Sequence, residues 1–215
     1  MKASTVYTKP VYIFLDFDGV LHADRSTVLA WPYNPAKPKD RGEYRHAFHQ
    51  SDLLEFTLKR HVPNARIIVS STWRTVAETV EDLRCELIAG GCNAGLVNRM
   101  VGMTPVFKED DEHVDPTVGI RLQEILAYIN THDLNDAPCL ILDDIYAWFT
   151  GKEGLFFPLQ LIDGETGLSF KDASDIAEWF TAHSDNDDLK PKNWFWQMSN
   201  KKVPKDEPEP ELVAA

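Results

Sequence analysis

Two carboxylates separated by one residue, Asp16 and Asp18, are the first side chains that suggest chemistry, and Gly19 follows them. They come directly after Val11–Leu15, an apolar run of β-branched and aromatic residues that is typical of a strand buried on both faces. Side chains at the carboxyl end of such a strand point into the crevice where open α/β sheets bind ligands, and a glycine there permits a sharp turn. An ordinary surface turn is the alternative, because Asp and Gly are common turn residues.

A second acidic pair, Asp143 and Asp144, follows the apolar run 140–142. Like charges placed side by side at the end of a buried strand repel each other. A divalent cation removes this repulsion, and hard cations such as Mg²⁺ prefer carboxylate oxygens. The pair therefore indicates a metal site, or else a helix N-cap or a turn.

Hydroxyl side chains follow a third strand candidate, Arg-Ile-Ile-Val at residues 66–69. Ser70, Ser71 and Thr72 could offer hydroxyl and backbone N–H groups to a phosphoryl oxygen. The alternative is that these residues cap the next helix, which is a common role of serine and threonine.

Three basic residues are candidates for a cation near the sheet. Arg121 lies on the edge of the apolar face of the helix predicted after residue 116, one turn from its start. Lys108 and Arg74 are the competing candidates. The alternative for Arg121 is a surface position at which its aliphatic stem covers the core.

Helical patterns alternate with these strand candidates, which predicts βαβ units and an α/β fold with a doubly wound (Rossmann-like) parallel sheet flanked by helices. A capping box of Asp52 and Glu55 is expected to open a helix over 53–60, and Asp115-Pro116 to open a later one. The remaining expected elements are a helix with the apolar face Val76, Val80, Leu83 and Leu87 that ends at Gly90-Gly91, a helix over 172–183, and a weaker strand within 156–162.

The order of these motifs resembles that of the haloacid dehalogenase (HAD) superfamily: Asp-x-Asp-Gly after one strand, Ser after the next, a basic residue on a helix, and Asp-Asp after a later strand. The resemblance covers residues 10–182 and implies a HAD-like fold with no large cap domain. A narrower likeness to the HAD domain of Swiss Army Knife RNA repair proteins rests on Val-Ser-Ser-Thr-Trp-Arg (69–74), Arg-Leu-Gln-Glu-Ile (121–125), Leu-Ile-Leu-Asp-Asp (140–144) and Asp-Gly-Glu-Thr-Gly-Leu (163–168).

The resemblance also implies a reaction, the Mg²⁺-dependent hydrolysis of a phosphomonoester by a HAD-type phosphatase. Asp16 would be the nucleophile that forms an aspartyl-phosphate, and Asp18 would protonate the leaving oxygen and then activate water. The Asp16 carboxylate, the Asp18 backbone carbonyl and Asp144 would hold Mg²⁺, with Asp143 orienting a water on the ion. The phosphoryl oxygens would be bound by Ser70, Ser71 and Arg121, the last at a position that is more often Lys across the superfamily.

The implied substrate is a phosphorylated small molecule such as a nucleotide, or a phosphorylated nucleic-acid end. A non-catalytic module that recognises phosphate or a protein partner on the same scaffold is the alternative function. The net charge of −12, from 34 acidic and 22 basic residues, excludes a long basic groove for duplex nucleic acid. A contact with a single phosphorylated end is compatible with this charge.

We expect residues 10–183 to form the HAD-like phosphohydrolase domain, with 22–51 as an irregular insertion that could serve as a lid, and 184–215 as a partly disordered tail. No apolar run near the start of the chain approaches the roughly 20 residues of a membrane span, so no membrane partner is expected. Three cysteines without a CxxC pair are typical of free thiols in a reducing cytoplasm. These cysteines are Cys85, Cys92 and Cys139.

Overall fold

A computed structural model of the chain describes residues 10–23, 48–108, 110–112, 114–135, 137–149 and 159–183, without the side chains of residues 76 and 181–183. Residues 24–47 of the expected insertion and the whole of the tail 184–215 lie outside the described residues. None of the described helices combines the length and the apolar character that crossing a membrane requires.

Five described strands form one parallel sheet. They are β1 (Val11–Leu15), β2 (Ala65–Val69), β3 (Met100–Met103), β4 (Cys139–Asp143) and β5 (Leu159–Leu161). The order across the sheet is β3-β2-β1-β4-β5. The three central strands are almost wholly buried, as strands of a parallel sheet covered on both faces must be. The predicted α/β fold with a Rossmann-like parallel sheet is therefore confirmed.

Helices cover both faces of this sheet. They are α1 (Gln50–His61), α2 (Val80–Ala89), α3 (Ala94–Asn98), α4 (Ile120–Thr131) and α5 (Phe170–His183), with 3-10 turns at Thr72–Val76 and Tyr146–Phe149. Successive residues of β1 enter two apolar cores, because side chains alternate across a strand. Ile13 lies in the core formed with α1, α2, α3 and α5, whereas Phe14 lies in the core formed with α4.

The carboxyl ends of β1, β2 and β4 lie level with one another. Leu15 of β1 is opposite Val69 of β2 and Leu142 of β4. The chain runs outward from β1 through β2 to β3 and then crosses to the other side of β1 as β4. The topology therefore switches direction between β1 and β4, which is where open α/β sheets bind their ligands.

The predicted capping box at the start of α1 is wrong. The helix begins at Gln50 after His49, and no side chain caps it. Asp52 instead accepts a hydrogen bond from Asn93 Nδ2 at 2.6 Å, and Glu55 forms an ion pair with Arg99 at 2.6 Å. Both acidic side chains contact residues about 40 positions away in the chain, so tertiary contacts override the local signal.

Two other helices begin later than predicted. Val76 ends a 3-10 turn, and α2 starts at Val80 where the Thr79 hydroxyl accepts the Asp82 N–H at 3.1 Å. Helix α4 starts at Ile120, and the Asp115 carboxylate that was expected to open it accepts the Thr117 N–H at 2.9 Å in a preceding turn. The N-cap of α4 is Gly119, where a side chain would collide with the carbonyl oxygen of Trp148.

The helix α3 and the strand β3 are absent from the sequence-based prediction. Both are short, and Gly102 interrupts the apolar pattern of β3. Their position shows that residues 94–103 belong to the sheet and its helical layer and not to a separate cap.

Candidate active site

Backbone hydrogen bonds bring the ends of three strands together. The Asp16 N–H donates to the Leu142 carbonyl at 2.9 Å, and the Ser70 N–H donates to the Leu15 carbonyl at 2.9 Å. Asp16, Ser70 and Asp143 therefore emerge at the same edge of the sheet, as the strand-end positions of their motifs predicted.

Three carboxylates meet at this edge. One oxygen each of Asp16, Asp143 and Asp144 lies within 4.8 Å of the others. Asp16 and Asp143 are buried, whereas Asp144 is half-buried. Gly19 makes room for this arrangement, because a side-chain carbon there would collide with the Asp144 carboxylate and because its backbone has φ +67°. The Asp-x-Asp-Gly motif thus needs its glycine for space as well as for the turn.

The electrostatics of the three carboxylates fit a divalent cation. Burial raises the pKa of Asp16, against the charge of Arg121 and hydrogen bonds from Ser71 and the Phe17 N–H. Burial and the nearby Asp16 charge raise the pKa of Asp143 to about 8. Carboxylates held this close repel when ionised, and a hard cation with oxygen ligands relieves the repulsion. The oxygen-only donor set therefore suits Mg²⁺.

Asp18 stands apart from the acidic cluster in its contacts. Its side chain is 45% exposed, and the Trp73 indole N–H reaches both carboxylate oxygens at 3.0 and 3.1 Å. His22 Nε2 lies 3.1 Å from Oδ1, and the Thr72 hydroxyl lies 3.5 Å from Oδ2. Partial burial raises the pKa of Asp18, but the adjacent His22 imidazole and the Trp73 indole N–H outweigh this and lower the pKa overall.

Two buried polar groups beside Asp16 have unused hydrogen-bonding capacity. Arg121 is 3% exposed, its guanidinium lies 4.5 Å above the Trp148 ring, and its Nη1 has no hydrogen-bond partner among the described residues. Ser70 is 1% exposed, and its hydroxyl likewise has no partner within the described part of the chain. Buried polar groups normally find partners, so a pair of such groups beside the Asp16 carboxyl indicates a place for an oxyanion.

The other candidates for binding a phosphoryl group have different surroundings. Ser71 hydrogen-bonds to the Asp16 carboxyl, and its hydroxyl accepts the backbone N–H of Trp73 at 3.4 Å. Arg74 is buried in an ion pair with Glu124 of α4. Lys108 is exposed. Of the three candidate cations, Arg121 therefore has the surroundings that a phosphate ligand requires.

Three residues near these groups were missed by sequence reasoning. Glu124 faces the buried side of α4. Its spacing of three residues from Arg121 on that helix could have indicated that both side chains lie on the same face. Trp73 and His22 contact Asp18; Trp73 lies within the segment 69–74 that carries the family likeness but was given no role there, and His22 follows the Asp-x-Asp-Gly motif by three residues. Nothing in the spacing indicated that both would reach the same carboxylate.

The parallel sheet with acidic strand ends at its switch point is consistent with a HAD-like α/β fold. A family model described as the HAD domain in Swiss Army Knife RNA repair proteins matches residues 12–173. The chain belongs to this family. Comparison with curated proteins and with solved structures found no match.

Proposed function

We propose that this protein is a Mg²⁺-dependent phosphatase that hydrolyses a phosphomonoester through an aspartyl-phosphate on Asp16. The observation that carries the proposal is the position of Asp16. Its carboxylate belongs to the acidic cluster with Asp143 and Asp144 and interacts with the charge of Arg121, and Ser70 emerges beside it from the neighbouring strand. Arg121 and Ser70 are the two buried groups with spare donors. A nucleophile, a cation site and an oxyanion site thus meet at one strand end.

In the first step, Asp16 attacks phosphorus, a bond forms between its oxygen and phosphorus, and the bond to the leaving oxygen breaks. Asp18 donates its proton to that leaving oxygen. In the second step, water attacks the phosphorus, Asp18 takes the water proton, and the bond to Asp16 breaks. Each step thus returns Asp18 to the protonation state that the other step needs.

Asp16, Asp143 and Asp144 would hold Mg²⁺, together with the backbone carbonyl of Asp18. When bound, the ion would neutralise the carboxylates and the phosphoryl oxygens, so that an anionic nucleophile can approach an anionic substrate.

Arg121 and Ser70 would bind the phosphoryl oxygens. A guanidinium removed from water interacts more strongly with an anion than a solvated one. Trp148 supports Arg121 from below through a cation–π contact. Ser71 has a different role in this proposal, since its hydroxyl holds the Asp16 carboxyl in place.

We propose a phosphorylated nucleic-acid end as the substrate class, with nucleotides as the second candidate. The description of the matched family, which refers to RNA repair proteins, supports the first choice. The net charge of −12 is compatible with a contact limited to one phosphorylated terminus.

The test is phosphate release from a panel of phosphomonoesters that includes nucleotides and oligonucleotides with 3′- or 5′-phosphates. We expect Mg²⁺ to support release, EDTA to abolish it, and Asp16→Asn to lower it more than about a thousandfold with the fold intact. Asp175→Asn, at an ion pair on the surface of α5, is the matched control and should retain wild-type activity.

A trapping experiment separates this reaction from phosphate binding alone. Asp18→Asn should accumulate labelled protein from a phosphate-labelled aryl ester, because the aryl leaving group needs little protonation while water activation is lost. The label should be absent from Asp16→Asn. Phosphate binding without release or labelling of the wild-type protein would instead establish the non-catalytic module.

A further inference from the structure

The Asp18 carboxyl is fixed from two sides by groups outside the four recognised motif positions. The Trp73 indole N–H spans both oxygens, and His22 Nε2 approaches one of them. We propose, on the basis of the phosphatase function above, that Trp73 is a positioning residue that aims the Asp18 carboxyl at the leaving oxygen, with His22 as its auxiliary.

The torsion that turns a carboxyl group is intrinsically soft, since an sp³–sp² bond has broad minima. The Asp18 side chain is also 45% exposed, whereas Asp16 and Asp143 are buried. A donor that contacts both oxygens at once determines the plane of the carboxyl group. General acid catalysis depends on such alignment, because a misplacement of about 1 Å can cost a hundredfold in rate.

The indole itself is held rigidly. Trp73 is 8% exposed and packs edge-on against Phe17 at 6.1 Å and Phe48 at 5.2 Å between ring centroids. His22 is 4% exposed and packs against the same Phe48 at 5.6 Å. Both groups that reach Asp18 are therefore anchored in one aromatic cluster.

The backbone of the same turn links Trp73 to the nucleophile. The Ser71 hydroxyl accepts the backbone N–H of Trp73 at 3.4 Å and also hydrogen-bonds to the Asp16 carboxyl. The 3-10 turn Thr72–Val76 that follows β2 and its N-cap residue Ser71 thus contact both carboxylates of the Asp-x-Asp motif. In this arrangement the segment 71–73 sets the position of Asp18 relative to Asp16.

The experiment compares kcat/KM for an alkyl phosphate and for 4-nitrophenyl phosphate in the wild-type protein and in Trp73→Phe. The ratio kcat/KM reports the first phosphoryl transfer, and an alkoxide leaving group needs a proton whereas nitrophenolate needs little help. We expect Trp73→Phe to lose roughly tenfold or more on the alkyl ester and less than about threefold on the nitrophenyl ester.

The control is Trp179→Phe, which makes the same substitution at another buried tryptophan, in α5 and far from Trp73 in the chain. This variant should leave the ratio of the kcat/KM values for the two esters unchanged, whatever its effect on stability. Replacement of Trp73 by 3-benzothienylalanine removes the N–H and keeps the ring shape, so it provides the same test if Trp73→Phe folds poorly. His22→Phe should change the ratio in the same direction but less.

The outcomes separate the two proposals. Equal losses on both esters in the Trp73 variants would overturn the positioning role and leave the phosphatase function in place. A wild-type protein that releases no phosphate from any ester would overturn the phosphatase function and, with it, the role of Trp73. A selective loss on the alkyl ester supports both.

Discussion

Glu124→Gln should destabilise the protein strongly, because it leaves a buried guanidinium without its carboxylate. Arg74 and Glu124 form an ion pair in which both side chains are 4% exposed. Glu124 also accepts the Phe107 N–H at 3.0 Å, and Arg74 donates to the Ser71 carbonyl at 2.5 Å. The pair therefore joins α4, the segment after β3 and the turn after β2.

The magnitude follows from burial. Burial lowers the pKa of Arg74, and the charge of Glu124 opposes that shift while the nearby Arg121 reinforces it. The glutamine keeps the shape of the side chain but removes the charge that compensates the Arg74 guanidinium. Breaking a buried pair from one side costs about 3–5 kcal/mol in the free energy of unfolding.

Urea denaturation measures this loss. With a slope of about 2 kcal/mol per molar urea, the unfolding midpoint should fall by about 1.5–2.5 M. Asp175→Asn, which breaks the exposed pair with Lys171, should leave the midpoint unchanged within error. The double variant Arg74→Met with Glu124→Leu should recover about half of the loss or more, because apolar replacement of both partners removes the unpaired charge.

A fall in the midpoint of less than about 0.5 M for Glu124→Gln would refute this reasoning, since it would mean that Arg74 is solvated or finds another anion. Activity provides a second readout. Because Arg74 holds the carbonyl of Ser71, the residue that contacts Asp16, the variant should also lose kcat under conditions in which it is fully folded.

Two further predictions concern the metal site and the thiols. Gly19→Ala should weaken Mg²⁺ binding, measured by calorimetry, about 10- to 100-fold, because the new side chain collides with Asp144. The control is Gly167→Ala, which introduces the same kind of backbone strain at φ +69° and should leave Mg²⁺ affinity unchanged. In the native protein at pH 8, a thiol reagent should label the exposed Cys85 rapidly, and the other two cysteines should react after unfolding. Burial raises the pKa of Cys92 and Cys139 to about 12, so that little thiolate is present at this pH, and rapid labelling of three thiols in the folded protein would contradict this assignment.

The central strands and the acidic motif positions were predictable from the sequence because their signals are local. A strand covered on both faces must be mostly apolar, so β1 appears as an unbroken apolar run, and β2 and β4 each contain three consecutive aliphatic residues. Parallel strands in register end at one edge of the sheet, so the residues that follow them had to converge. Asp16, Asp143 and Asp144 meet there for this reason.

The starts of the helices were less predictable, because a capping signal competes with tertiary contacts. Asp52 and Glu55 have the spacing of a capping box, yet Asn93 and Arg99 bind them from another part of the chain. The strand β3 at the sheet edge is too short to show a pattern, and its place depends on pairing with β2.

The environment of each catalytic candidate was decided by tertiary structure. The Trp73 indole N–H reaches Asp18 across 55 positions of the chain, and Arg74 pairs with Glu124 across 50 positions. Arg121 forms no ion pair with the described residues, and its Nη1 has no hydrogen-bond partner among them. Periodicity and motif spacing carry information about neighbours along one element. Packing brings side chains together from different elements, and these contacts determine which donors are paired and which can bind a ligand. In this protein the contacts form where the sheet meets its two helical layers.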